Sequence, residues 1–134
     1  MADKEQLLLQ ASFTQDTKNI DSLLKNGADG TRNGHEAFYT SCMLGDLPSI
    51  ETYIKHGIDP NAEVGACIRI AIEKGHIEVV DYLVSKGGIL YNYFLDVVCE
   101  QRKWGIAHWL ELKGLKTFYN YDDFEEYKER KKND

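Results

Sequence analysis

The sequence predicts an all-α fold of stacked helix-turn-helix units joined by short turns, on three observations. Gly27, Gly57 and Gly87 recur every 30 residues, and Gly114 follows 27 residues later. Ahead of each of these glycines the apolar residues fall at i, i+3 and i+4, which is one stripe of an α-helix. Gly45 and Gly75 stand 12 residues before two of them and mark a turn inside the unit. A period of this size is the signature of a repeat array, in which a unit buries its apolar face only against its neighbours.

The second helix of each unit is read from Ile20 to Asn26, Ile50 to His56, Val80 to Lys86 and Ala107 to Lys113. The glycine after it can adopt the left-handed conformation that satisfies the last free carbonyls. The first helices run through Leu7 to Ala11, Ala37 to Cys42, Cys67 to Ile72 and Phe94 to Cys99. Small residues recur at one point in them, Ala11, Ser41 and Ala71, with Val98 in the fourth, where crossing helices leave little room. Asp16 and Asp46 stand at the starts of second helices as expected N-caps. Pro48 lies in a first turn whose N–H groups have no intrahelical partner.

The run from Ile70 to Gly87, and Gly57-Ile58-Asp59-Pro60-Asn61-Ala62 at the turn before it, closely resemble an ankyrin repeat. The resemblance covers roughly residues 5 to 115, strongest in the third unit and weakest in the fourth. Two departures stand out. The Thr-Pro-Leu-His of the family pattern is replaced by Gln6 to Leu9, Glu36 to Tyr39, Ala66 to Arg69 and Tyr93 to Asp96. A 30-residue period in place of about 33 shortens the connections, predicting turns such as Thr31-Arg32-Asn33-Gly34, whose Asn-Gly suits positive φ. This variant is similar to ankyrin arrays of large DNA viruses, which implies a viral protein acting on a host protein in the host cytosol.

Four repeats are expected over residues 1–116, with a C-terminal helix or tail over 117–134. Terminal units of a solenoid must hide one apolar face. Asp3 with Gln6 resembles a capping box at the first helix, and Asn19 and Ser22 replace apolar family positions in that unit. The fourth unit exchanges the inter-helix glycine for Arg102 and brings in Trp104 and Trp109. In the tail, acids precede bases, which favours a helix. Tyr121, Phe124 and Tyr127 form a stripe that is either packed on the fourth repeat or available to a partner.

The chain of 134 residues carries 16 Lys+Arg against 22 Asp+Glu, a net charge of −6. That balance predicts no nucleic-acid partner, because phosphate binding needs a concentrated basic face. No apolar run reaches the ~18 residues of a membrane span, and Met1 to Gln6 lacks a signal-peptide layout and a myristoylation glycine. A soluble, cytoplasmic chain without a membrane partner is expected. Cys42, Cys67 and Cys99, odd in number and widely spaced, read as buried small residues in a reducing compartment.

Chemistry is sparse. His35, His56, His76 and His108 form no closely spaced pair with each other or with the cysteines, so no metal is expected. His76 is assigned a capping role at its turn. No phosphate loop, nucleophile elbow or metalloprotease motif is present, so neither cofactor nor catalysis is expected. The resemblance does imply contact positions: the two residues after the small pair, which include Phe13, Met43, Leu44, Glu73 and Lys74. Tyr39 and Arg69 stand where the family has histidine. Phe13, Met43 and Leu44 should be exposed as an apolar contact surface, or else fold against Tyr39 or a neighbouring turn. The expected function is non-catalytic binding of a protein partner through the concave surface, by a monomer that masks or sequesters it. The alternative is a homodimer built on the same row.

Overall fold

The computed structural model describes residues 3–134. Met1 and Ala2, part of the opening read for targeting signals, lie outside the described residues. The described residues form nine α-helices in two compact units, which divide between Ile89 and Leu90. No helix among them is long and apolar enough to cross a membrane.

The first unit contains three helix-turn-helix pairs: α1 (Lys4–Phe13) with α2 (Thr17–Lys25), α3 (Arg32–Leu44) with α4 (Leu47–Lys55), and α5 (Ala66–Glu73) with α6 (Ile77–Ser85). First helices pack α1 on α3 on α5, and second helices α2 on α4 on α6, so the pairs stack in register. The second unit holds α7 (Tyr93–Glu100), α8 (Trp104–Leu112) and α9 (Asp122–Lys132).

Each hairpin reverses through one left-handed residue: Gln15 at φ 57°, Gly45 at 71°, Gly75 at 77° and Arg102 at 58°. The next residue donates its N–H to a carbonyl five residues back: Asp16 to Ala11 at 2.9 Å, Asp46 to Ser41 at 3.1 Å, His76 to Ala71 at 2.9 Å and Lys103 to Val98 at 2.9 Å. The recurring small residue is thus the acceptor that closes the turn. Two hairpins use glycine; Gln15 and Arg102 accept a cost of about 1–2 kcal/mol to take the same shape. The second helices end in the same way, with Gly27, Gly57, Gly87 and Gly114 at φ 93° to 102°.

The connections between pairs also turn left-handed. Asn33, Gly34 and His35 have φ 54°, 66° and 57°, so the regular part of α3 begins only after them. Glu63, Val64 and Gly65 repeat this one period later at 57°, 53° and 85°.

Apolar side chains at each helix crossing form the core, with Leu8, Ile20, Phe38, Ile50, Tyr53, Ile68, Val80 and Leu83 buried. Polar links between successive pairs set their register. Ser12 donates to the Leu8 carbonyl at 2.9 Å, so its oxygen accepts from the Tyr53 hydroxyl at 2.6 Å. The Tyr53 ring stands edge-on to Phe38 at 5.6 Å. Thr17 meets Ser49 at 2.8 Å, and His56 Nε2 meets Asp21 at 2.8 Å.

The expected caps divide. Asp3 accepts from Glu5 N at 2.9 Å and Asp16 from Asn19 N at 3.2 Å. Asp46 makes no side-chain cap bond, although Ser49 stands where Asn19 supplies the donor to Asp16. In the second unit the aromatic stripe of α9 is packed, not free. Phe124 is buried and stacks on Trp104 of α8 at 5.7 Å, while Lys128 bridges Glu111 and Glu125 at 3.0 Å each.

Two outcomes follow for stability. Gly45→Ala should lose about 2–3 kcal/mol in urea unfolding, combining left-handed strain with a clash described below, whereas Gln15→Gly should gain about 0.5–1 kcal/mol by relieving strain. Burial pushes the Tyr53 hydroxyl from 10.0 to about 12 and the Cys99 thiol from 9.0 to about 11. Both hold their protons more tightly in the folded chain, so their contribution is complete below pH 9 and is lost as pH rises to about 12. Unfolding midpoints should fall across that window, and Tyr53→Phe should flatten its upper half.

Candidate protein-binding site

The ends of the first helices supply the row. Phe13 on α1, Met43 on α3 and Glu73 on α5 are 30 residues apart in sequence. Leu44 and Lys74 stand beside the latter two. Since α1 packs on α3 and α3 on α5, equal register places these positions in one line across the first unit. Tyr39 and Arg69 lie four residues before Met43 and Glu73, one helical turn back on the same faces.

Exposure varies along the line. Phe13 is 55% exposed and Lys74 is exposed, while Tyr39, Met43, Leu44, Arg69 and Glu73 are half-buried. The expectation of free Met43 and Leu44 side chains therefore needs correction. The His76 ring seats over Gly45, where an added Cβ would lie 2.6 Å from its Nδ1. Its Nε2 contacts the Met43 carbonyl at 2.8 Å; a carbonyl can only accept, so Nε2 carries the proton. His76 thus caps the C-terminus of the neighbouring α3 and makes no side-chain cap bond to its own helix. This pins the turn after Leu44 against the next pair. At the third position Arg69 Nε and Glu73 Oε2 are 4.0 Å apart, four residues along one helix, a spacing worth only a few tenths of a kcal/mol.

The turn tips add a residue that the sequence reading missed. Val64, β-branched and 82% exposed, stands at φ 53°, a genuine outlier for its type. Gly34 fills the same place one period earlier without that strain. The 30-residue register held the signal, since it aligns Val64 with a glycine. Below this tip, His35 Nδ1 meets Glu63 at 2.8 Å, linking the two successive turns.

The three cysteines are shielded from solvent. Cys42 and Cys67 are fully buried and Cys99 is 2% exposed. Burial, with the Cys67 thiol beside it, pushes the Cys42 thiol well above its ordinary range, which suppresses the reactive thiolate. Among the described residues no three His, Cys, Asp or Glu side chains gather as a metal set.

No protein-family model matches the chain. Among curated proteins it is similar to ankyrin repeat and SOCS box protein 14 of Mus musculus, 32% identical over 92 residues, which are 69% of this chain and 15% of that protein. It is likewise similar to dynein axonemal heavy chain 12 of Bos taurus, 32% identical over 92 residues, 69% of this chain and 25% of that protein. The chain therefore spans a quarter or less of the length of these relatives. Stacked helix-turn-helix pairs and likeness to an ankyrin repeat protein together define the fold class as an ankyrin-repeat solenoid with short connecting turns.

Proposed function

We propose that the chain is a non-catalytic protein-interaction module that contacts its partner through the row Phe13, Tyr39, Met43, Leu44, Arg69, Glu73 and Lys74, and masks or sequesters that partner. The observation carrying this reading is the register: residues one period apart on successive first helices, apolar at Phe13 and charged by Lys74. Repeat arrays bind through such extended lines of equivalent positions. Val64 at the turn tip supports it, because a strained residue that buries almost nothing fits contact better than folding. Residues 1–116 would supply the four repeats and 117–134 the packed tail. The shortened repeat supports a viral origin and a host partner in the cytosol, met by a monomer.

Phe13→Asp with Lys74→Glu changes the row at its two exposed positions. With helical content unchanged by circular dichroism, the variant used as bait in cell lysate should lose proteins that the wild type captures, by tenfold or more. Equal capture would reject the row as the contact surface, and a concentration-dependent dimer mass abolished by the variant would favour self-assembly on the same face.

A further inference from the structure

We propose a second recognition site in the C-terminal unit, where Phe118 and Tyr119 together with Asp122 and Glu126 bind an arginine-rich segment of a partner protein. The aromatic side chains of the flanking helices reveal a pattern. Trp104, Trp109, Phe124 and Tyr127, all the aromatics of α8 and α9, each have a cation over the ring: Arg102 at 5.9 Å, Lys113 at 5.3 Å, Lys128 at 4.4 Å and Lys131 at 5.6 Å. Arg102 also pairs with Asp123, and Lys128 with Glu111 and Glu125. A cation held between an aromatic face and a carboxylate is thus the recurring contact of this unit.

Phe118 and Tyr119, in the loop between α8 and α9, break the pattern. Among the described residues no cation lies over either ring, and they are 99% and 69% exposed. Their loop is nonetheless tied down at both ends. Lys116 N donates to Asn92 Oδ1 at 3.0 Å, Thr117 Oγ1 donates to Asp96 and Tyr119 N donates to Thr117 Oγ1 at 3.0 Å. The Tyr121 hydroxyl is shared between Asp96 at 3.2 Å and Glu100 at 3.1 Å. A loop fixed at 116, 117, 119 and 121 presents Phe118 with little ordering left to lose on binding.

Charge selects the occupant. From Thr117 to Tyr127 there are four carboxylates and no Lys or Arg, with Lys116 just before them. Asp123 and Glu125 are engaged as above, whereas Asp122 and Glu126 form no ion pair among the described residues. Phe118 stands four residues before Asp122, the first residue of α9, and the Tyr119 ring lies against Tyr121 at 6.4 Å; exposed aromatic and carboxylate groups in one short segment fit guanidinium groups, which stack and pair at once, better than the compact ammonium of lysine.

The site is read by fluorescence anisotropy with a labelled peptide of six Arg-Gly repeats at low salt, against Lys-Gly and Glu-Gly peptides of equal length. Wild type should bind the arginine peptide more tightly than the lysine peptide and not bind the glutamate peptide. Phe118→Ala, which leaves the net charge unchanged, should weaken arginine-peptide binding about fivefold, a typical exposed cation–π contribution, and Asp122→Asn with Glu126→Gln should weaken it further. Phe13→Asp with Lys74→Glu should leave the Phe118 dependence intact, which separates this site from the repeat row. Binding unaffected by Phe118→Ala would reduce the attraction to net acidity and overturn the proposal, as would no binding at millimolar peptide.

Discussion

The rest of the structure depends on the left-handed reversal between the two helices of each repeat. At this point the chain must turn back within three residues, and one backbone N–H must reach the carbonyl five positions earlier. That carbonyl belongs to Ala11, Ser41, Ala71 or Val98, the positions where the helices cross. Hydrogen-bond closure falls on a small residue in three of the hairpins and on Val98 in the fourth. Had the reversal failed, the second helix would lose its place against the first, and neither could present an apolar face to the next pair.

Stacking then places polar contacts where burial alone would allow slippage. Hydrophobic contact is non-directional, but the Tyr53 hydroxyl on Ser12 and the His76 imidazole on the Met43 carbonyl each accept only one register. The second of these also holds the end of α3, where Met43 and Leu44 of the proposed contact row stand.

Much of this was legible in the sequence, and what was not has a physical reason. The glycines at 27, 57, 87 and 114 disclosed the period because closing a helix with a left-handed residue is a local demand. Gln15 and Arg102 perform the same turn as Gly45 and Gly75 without a compositional mark, since tertiary packing overrides their backbone preference. Side-chain links such as Ser12 to Tyr53 and His35 to Glu63 join residues 41 and 28 apart and leave no local pattern. Asp46 occupies the N-cap position without making the side-chain bond that Asp16 makes, a difference in side-chain placement that residue type does not encode. The docking of α9 was open in the sequence, where a Tyr-Phe-Tyr stripe serves packing and binding equally; the stack of Phe124 on Trp104 decides it.

The functional account rests on the proposal that the first-helix row meets the partner. A photo-crosslinking amino acid placed at Lys74 on the row, and separately at Glu51 on α4, tests it in cells. Covalent adducts from position 74 and none from position 51 are predicted. Adducts from position 51 alone would contradict the account.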